Sequence, residues 1–297
     1  MQKHFLLAAL FAATTAGSLR AQSAWLPEPG QLIVTPGYNF QTFDEFFAGT
    51  TRSKLPADLT QHTAVLTFEY GLLRDLAVDL TLGYVWTRFR PPGGPAFTSD
   101  GLTDTQLGLR FRLLDERRGG AWTPTLSLRV GAIIAGTYDV FFAIPPPPIN
   151  PGDGADGVEF SLLTGKTFGQ SGFGVFADFG YRVRNGHVPD DLFGRAGIFQ
   201  QIGPVTLGVD YRQVQALSGG DIGGRGFGTA YGFPQVREVD RAIDAGITFT
   251  DRGGRGYQFT YSKTINGRNT GDKSIFGVSI SLPWELGRSR GPAPSPK

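Results

Sequence analysis

Residues 76–87 alternate between two kinds of side chain, and this alternation constrains the fold more than any other feature of the chain. The even positions carry large apolar or aromatic side chains: Leu76, Val78, Leu80, Leu82, Tyr84 and Trp86. The odd positions carry smaller or polar side chains: Ala77, Asp79, Thr81, Gly83, Val85 and Thr87. Because successive side chains of a β-strand point to opposite faces, one face is oily and the other presents the Asp79 carboxylate. An ionised carboxylate is costly in an apolar core, so the pattern favours a strand between lipid and a wet interior.

The same alternation recurs in twelve runs along the chain. The runs are 31–43, 61–70, 76–88, 101–113, 122–136, 158–167, 173–184, 191–202, 204–216, 239–250, 256–265 and 273–284. The junctions alternate between short turns such as 71–75 and long loops such as 44–60 and 217–238. Segments of about ten residues with short turns at one end and long loops at the other are typical of outer-membrane barrels. An even number of strands would place both chain ends on the periplasmic side.

A sheet that spans the lipid bilayer must close into a barrel. Hydrocarbon offers no hydrogen bonds to the backbone, so only helices and closed barrels can span a bilayer. Aromatic side chains near the ends of the runs suit the two interfacial girdles: Tyr70, Tyr84, Trp86, Tyr181, Tyr211, Tyr257, Tyr261 and Trp284. The sequence therefore predicts an all-β protein, a transmembrane antiparallel up-and-down β-barrel of about 12 strands over residues 30–284, in the bacterial outer membrane of a Gram-negative cell. A soluble β-sandwich or solenoid is the alternative, since it can also alternate.

The two ends of the chain have a different character. Lys3 and His4 precede the apolar stretch 5–17, which is too short to span a bilayer, so residues 1–21 are predicted to be a signal peptide. A buried N-terminal helix is the alternative. Residues 22–29 are then an N-terminal periplasmic segment, and residues 285–297, rich in Pro, Ser and basic side chains, are a disordered C-terminal tail. The aromatic ending at Trp284 resembles the signal that the barrel-assembly machinery reads.

Composition excludes several kinds of function. The chain has no cysteine, and 28 Lys and Arg residues face 26 Asp and Glu residues, so neither a thiolate metal site nor nucleic-acid binding is indicated. No metal and no cofactor is predicted. A barrel lipase would need a Ser close to a His, yet only His62 and His187 follow the signal peptide, and neither lies in a phrase that pairs it with a serine. The sequence predicts that the protein is not an enzyme.

Charged side chains at inward positions are the candidate functional residues. At the level of the lipid hydrocarbon, ionised groups are tolerated only in contact with water or in ion pairs. The predicted lining of the lumen and its constriction comprises Asp79, Asp104, Arg110, Arg112, Arg129, Asp178, Arg182, Asp210, Arg212 and Asp244. Two interpretations stay open: a polar constriction that selects permeants by charge and size, and a ladder of ion pairs that fills a narrow barrel. Twelve strands lie between filled small barrels and open porins, so strand number does not decide between them.

Two further groups of residues lie toward the outer rim. Phe40, Phe43, Phe46 and Phe47 surround the first long loop, either as a girdle with a self-packed loop or as a funnel for hydrophobic solutes. Arg241 and Lys263 fall on the lipid-facing parity, where they could meet lipopolysaccharide phosphate or extend to water without a partner.

Three phrases resemble a known family: 69–86, "EYGLLRDLAVDLTLGYVW"; 101–114, "GLTDTQLGLRFRLL"; and 152–169, "GDGADGVEFSLLTGKTFG". They look like the transporter-annotated outer-membrane proteins named after the meta-pathway of phenol degradation. In that family an acidic residue after a Gly opens a descending strand, as Asp104 does here, and a later GDG follows a Pro-rich loop. The resemblance implies an outer-membrane barrel that passes small hydrophobic or aromatic compounds, and it supplies no catalytic residue.

Three functions follow as hypotheses. The leading one is an outer-membrane channel or passive transporter for small molecules, with hydrophobic or aromatic compounds as candidate permeants. The second is a closed structural or surface-interaction barrel that acts through its extracellular loops, and the third is a lipolytic barrel enzyme. The expected partners are outer-membrane lipid and lipopolysaccharide, the barrel-assembly machinery during biogenesis, and a small-molecule permeant. The sequence does not decide the oligomeric state.

Overall fold

The chain folds as an all-β structure. A computed structural model describes residues 23–138 and 152–286; the predicted signal peptide, most of the proline-rich loop and most of the C-terminal tail lie outside these ranges. The strands are β1 (Gln31–Ala48), β2 (Thr51–Leu73), β3 (Leu76–Phe89), β4 (Phe97–Leu102), β5 (Thr105–Leu114), β6 (Thr125–Ile134), β7 (Gly157–Thr167), β8 (Phe173–Arg184), β9 (Asp191–Ile202), β10 (Val205–Ala216), β11 (Val239–Thr250), β12 (Gly256–Arg268) and β13 (Ser274–Glu285). Within the described ranges, no helix is long and apolar enough to cross a membrane.

The strands close into a cylinder. Strands that follow one another along the chain pair antiparallel, except β4 with β5, and β1 also pairs with β13, from Gln31 opposite Glu285 to Thr42 opposite Ser274. Strands β4 and β5 both pair with β3. β4 pairs with its extracellular half and β5 with its periplasmic half, so together they take the place of one strand in the wall. The barrel is therefore closed and twelve-stranded, which confirms the predicted fold class.

Alternation along the strands separates an oily exterior from a charged interior. Asp79 is 4% exposed and faces inward, whereas Trp86 on the other parity of the same strand is 45% exposed. Outward apolar side chains on every part of the wall are similarly exposed, for example Phe111, Phe179 and Phe259. Such an exterior would be unfavourable in water and suits acyl chains.

The prediction of a long first loop at 44–60 is wrong. Strands β1 and β2 continue as a hairpin to a tight turn at Gly49 and Thr50. The oily alternation stops where the hairpin leaves the lipid, but the backbone pairing does not, and this explains why periodicity alone ended the strands too early. Phe43 and Phe47 turn inward and are buried, and Phe43 packs in a cluster with Leu59 and Phe89. On the outer face, Phe40 packs against His62 at a tilted angle, with ring centroids 5.1 Å apart.

The fourth wall strand is interrupted between β4 and β5. Asp104 lies at this break, where its Oδ1 accepts hydrogen bonds from Gly136 N at 2.9 Å and Tyr138 Oη at 2.8 Å. Arg184 approaches the other carboxylate oxygen of Asp104 at 3.5 Å. The interruption therefore anchors the start of the β6–β7 connection to the barrel wall.

Candidate functional site

A belt of ion pairs follows the inner wall at mid-height. Its first part is centred on two arginines whose side chains are almost inaccessible to solvent. Arg110 contacts Glu69 at 3.2 Å and Asp79 at 3.2 Å. Arg129 donates to Asp79 at 2.7 Å and to Glu159 at 2.7 Å. Each buried charge thus has an opposite charge beside it, which is the condition for keeping such groups ionised away from bulk water.

Strand register explains why this pairing is diagonal. Glu69 lies directly opposite Asp79, and Arg110 directly opposite Arg129, so the direct neighbours carry like charges. The arginines resolve this by reaching along the wall to carboxylates on the next strands. The Arg129 guanidinium lies over Gly108, where an added Cβ would come within 2.5 Å of its Nε. Glycine at this position therefore provides the space that the ion pairs need.

Gly108→Ala is expected to lower the free energy of unfolding by about 1–3 kcal/mol, because the new methyl group displaces Arg129 from Asp79 and Glu159. The midpoint of urea unfolding, followed by heat-modifiable gel migration, measures the effect. Gly208→Ala is the matched control, since a Cβ there has no neighbour closer than 3.7 Å. Equal midpoints for the two variants would contradict this account of Gly108.

The belt continues across β7 to β11 through pairs that join adjacent strands. Arg182 contacts Asp191 at 3.0 Å and Glu159 at 3.8 Å; Arg195 contacts Asp178 at 3.4 Å and Asp210 at 3.8 Å; Arg212 contacts Asp244 at 3.2 Å and Asp240 at 3.5 Å. Asp178 and Arg182, which lie four residues apart on β8, therefore each have an ion-pair partner on another strand. On the remaining wall, inward side chains such as Asn39, Gln258 and Ser279 are uncharged.

The structure brings most of the predicted lumen residues into this ion-pair belt. They are Asp79, Arg110, Arg129, Asp178, Arg182, Asp210, Arg212 and Asp244. Arg112 lies instead at the periplasmic rim, where it donates to Asp75 at 3.0 Å, and Asp104 lies at the β4–β5 break. The role of all ten as a selective constriction stays a prediction.

Sequence reasoning missed Arg195, which is central to the belt. Its strand shows no clean alternation, because two of its inward positions carry Phe193 and Phe199, both buried. These rings cover Gly180 and Gly174 of β8. A bulky side chain facing a glycine across the ladder is the signal that could have shown which parity of β9 points inward.

The described N-terminal residues lie inside the barrel at the end with the short turns. Leu26 is 1% exposed. The Trp25 ring contacts Phe199 at 5.9 Å between centroids, and its Nε1 donates to Glu116 at 2.8 Å. The backbone carbonyl of Ser23 accepts from Arg110 at 3.1 Å, so this strap, residues 23–28, reaches the ion-pair belt. The strap contacts the inner faces of β5, β6, β7 and β9 and narrows the periplasmic mouth.

Three outer loops meet at Asn269. This residue adopts a left-handed conformation and is 4% exposed. Its Oδ1 accepts from Gly49 N at 2.8 Å and from Ile222 N at 2.9 Å, and its Nδ2 donates to Arg237 O at 2.8 Å. Arg268 adds a bidentate pair with Asp221, at 2.7 Å to each oxygen. The β1–β2, β10–β11 and β12–β13 connections therefore form one outer cap.

The outer cap contains a carboxyl group poised to titrate. Burial raises the pKa of Glu238 to about 7; Lys273 opposes the shift, whereas Asp153 and Asp240 add to it. Because the pKa is above that of an unfolded glutamate, this group's contribution to cap stability is fully present in acid and is lost as pH rises from about 4.3 to about 7. Amide exchange of residues 217–238, corrected for intrinsic rates, should therefore be faster at pH 7.5 than at pH 5.5. Glu238→Gln should remove this difference, and turn 251–255 should show none in either protein.

The two histidines give no support to the enzyme hypothesis. His62 lies on the outer face, where its Nδ1 is 2.5 Å from Tyr38 Oη. His187 lies in the β8–β9 turn with a left-handed backbone. The absence of enzymatic activity stays a prediction.

Fold and interior together define the class of the protein: an outer-membrane β-barrel of twelve strands with a charged inner wall. No family model and no curated protein matches the chain. Among solved structures it is similar to a COG4313 outer membrane channel from Pseudomonas putida F1, at 12% identity over 89% of this chain and 99% of that chain, with a TM-score of 0.69. Similarity is lower to the KdgM porin, at 8% identity over 84% and 98% with a TM-score of 0.45, and to the beta domain of the Bordetella autotransporter BrkA, at 12% over 84% and 99% with a TM-score of 0.46. The likeness to the Pseudomonas putida channel supports the fold, and the resemblance to the phenol-degradation family stays a prediction.

Proposed function

We propose that the protein is a passive channel for small molecules across the outer membrane. The observation that carries the proposal is that the ion-pair belt lies along the wall and does not cross the lumen. Every pair joins adjacent strands or strands separated by one, as Asp79 and Arg129 are. The pairs thus stay close to the wall, and a cavity of about 280 Å³ lies in the outer half of the interior. A purely structural barrel has no need of such a space, since packed interiors leave few voids larger than water.

Small hydrophobic or aromatic compounds are the permeants that the interior supports best. Apolar side chains such as Val85, Ile133, Leu163 and Phe193 share the inner wall with the belt. The belt charges already have partners, so a permeating ion must give up its hydration for groups that are engaged elsewhere. A neutral, partly apolar solute has less hydration to lose. The name of the Pseudomonas putida protein, an outer membrane channel, agrees with a channel and specifies no permeant.

Planar bilayers and liposomes test the proposal. Purified protein should give a small conductance, because the strap and the outer cap both narrow the path. Liposomes with lipopolysaccharide in the outer leaflet should take up a neutral aromatic solute such as benzyl alcohol faster with the protein than without it, and benzoate should gain much less. Absence of both conductance and uptake in correctly folded preparations would refute the channel.

Recognition of a partner at the cell surface is the second candidate function. The observation that favours it is the outer cap, in which Asn269 joins three loops into one ordered surface. Deletion of residues 217–238 distinguishes the two candidates. If recognition is the function, the deletion should abolish attachment of the partner and leave solute uptake unchanged; if the channel is the function, uptake should change.

A further inference from the structure

The inner wall of the barrel is buried on one side and partly exposed on the other. Every inward side chain of β3 is buried, from Ala77 to Phe89, and so is every inward side chain of β6. On β1, in contrast, the inward positions from 33 to 41 are all partly exposed, and on β13 four of the five inward positions from 275 to 283 are. An inward side chain of a closed barrel is partly exposed only where water-sized space lies beside it. The open space of the lumen therefore extends along β1 and β13.

The partly exposed side of the wall carries no charge. The inward positions of β1 from 33 to 41, of β12 from 256 to 264 and of β13 from 275 to 283 are all uncharged. Their hydroxyls and amides interact with one another: Thr35 Oγ1 lies 3.2 Å from Ser281 Oγ, and Ser279 Oγ donates to Gln258 Oε1 at 3.3 Å. We call this surface the neutral wall, and its partly exposed polar side chains include Thr35, Asn39, Gln258, Thr260, Ser279 and Ser281.

The strap packs against the other side of the periplasmic mouth. Trp25 lies over Gly165 of β7, and the carbonyl of Ala24 accepts a hydrogen bond from Ser127 of β6. At the same end of the neutral wall, Ile33 and Pro283 lie directly opposite each other, and both remain partly exposed. The strap thus obstructs the side of the mouth that carries the ion pairs and leaves room beside β1 and β13.

The outer end of the neutral wall is covered by two aromatic rings. Phe43 lies over Gly271 and Phe47 over Gly267, and in each case an added Cβ would come within 2.8 Å of the ring. A straight path out along β12 and β13 is therefore closed. The cavity in the outer half of the barrel lies to one side of these rings, against β8 to β11.

Two glycines lie between the cavity and the neutral wall. Gly208 of β10 and Gly246 of β11 face inward directly opposite each other, and both are partly exposed. A Cβ added at Gly208 would have no neighbour closer than 3.7 Å. Thr260 of the neutral wall lies directly opposite Gly246. Because neither glycine has a side chain, space is left here between the cavity and the neutral wall.

An uncharged surface of amides and hydroxyls treats ions and neutral solutes differently. An ion in a narrow space must exchange its hydration for groups of the wall, and the neutral wall offers it no opposite charge. A neutral solute gives up less hydration, and its polar groups can exchange hydrogen bonds with hydroxyls and amides. On the other side of the barrel, Arg110 and Arg129 are 0% and 2% exposed, so their charges are too buried to meet a permeating molecule.

From these observations we infer that solutes cross the barrel along the neutral wall, and that its uncharged side chains, among them Asn39 and Ser279, select uncharged solutes over ions. The route runs from the cavity, past Gly208 and Gly246, and along β12, β13 and β1 to the periplasmic mouth. The inference rests on the proposed channel function and identifies the residues that determine its selectivity.

Single cysteines test the route, since the chain has no cysteine of its own. In planar bilayers, a cationic methanethiosulfonate reagent should lower the conductance of Ser279→Cys at least about twofold, because the attached group occupies the route. Ser161→Cys is the matched control: Ser161 also faces inward, but it lies on β7 and is 4% exposed. The reagent should leave its conductance unchanged, and mass spectrometry should find the label on Ser279→Cys alone. Block of the Ser161→Cys variant, or labelling of Ser279→Cys without a fall in conductance, would overturn the inference.

A charge added without a change of size tests the selectivity. Asn39→Asp should raise the permeability of potassium relative to chloride several-fold, because a carboxylate then faces the route, and the reversal potential in a potassium chloride gradient measures this ratio. Asn266→Asp adds the same charge to an exposed residue beside Arg241 on the outer face, and it should leave the reversal potential unchanged. Heat-modifiable migration identifies the folded preparations used for every recording. Equal reversal potentials for Asn39→Asp and the unaltered protein would contradict the inference.

Failure of the route and failure of the channel give different results. Absence of both conductance and solute uptake in the unaltered protein refutes the channel, and the route with it. Conductance that changes neither on labelling of Ser279→Cys nor in Asn39→Asp refutes the neutral wall as the route and leaves the channel in place.

Discussion

Removal of residues 23–28 is expected to raise single-channel conductance several-fold. This strap crosses the periplasmic mouth and makes a few contacts with the inner faces of four strands. Trp25 packs over Gly165, where even a methyl group would come within 2.3 Å of the indole, so the ring occupies the floor of the lumen. Ser127 Oγ donates to Ala24 O at 2.7 Å. These contacts narrow the mouth but contribute no strand to the barrel, so their loss widens the path and leaves the cylinder intact.

Planar-bilayer recordings of the deletion and of Trp25→Ala measure this effect, and the single substitution should give an intermediate value. Trp122→Ala is the control for loss of an indole at the same end of the barrel, because Trp122 is 84% exposed on the β5–β6 turn. Its conductance should equal that of the unaltered protein. A deletion variant that conducts no better than the full chain would show that the resistance lies elsewhere, with the outer cap as the next place to look.

Arg129→Met is expected to lower the free energy of unfolding by about 3–5 kcal/mol, the range for removing one member of a buried ion pair. Asp79 and Glu159 would each lose a partner at 2.7 Å while remaining almost inaccessible to solvent. Glu159 would keep its contact with Arg182, at 3.8 Å. Methionine preserves most of the side-chain volume, so the loss reports charge and hydrogen bonding more than packing.

Urea titration of the folded barrel in micelles measures this loss. Neutralising the two acids that lose Arg129 gives the matched control: the triple variant Arg129→Met, Asp79→Asn and Glu159→Gln should recover much of the stability, since amides cost less to bury than carboxylates. If the single and triple variants unfold at the same urea concentration, uncompensated charge is not the cause of the loss.

Alternation made the barrel predictable because each transmembrane strand meets two different solvents. Residues 76–87 show this pattern without exception, and the structure confirms the closed antiparallel cylinder that the twelve runs predicted. The pattern failed where a strand meets one solvent only. The hairpin at 44–60 is bathed by water on its outer side, so its β-structure leaves no oily face in the sequence.

The ion-pair partner of an interior side chain was harder to predict than the face of the sheet on which the side chain lies. Asp79 could be assigned to the interior from its own strand, but its contacts with Arg110 and Arg129 depend on register across three strands. Register is set by turn geometry and by space, such as the gap over Gly108, and none of these is visible in one strand's period. The strap escaped prediction for a related reason: it has no periodicity, and its place inside the lumen depends on Gly165 and Phe199, which are far away in sequence.

Asn269 has a consequence for peptide display on this scaffold. Since one side chain ties the β1–β2 turn to residues 220–222 and 237, a foreign epitope inserted into either connection would disturb both and would also displace the β12–β13 connection. The turn at 90–96 has no such tie to Asn269, and Gly93 there has open space where a side chain would extend. An epitope grafted at Gly93 should be presented on living cells without loss of the barrel, whereas the same graft at Gly49 should reduce the amount of assembled protein.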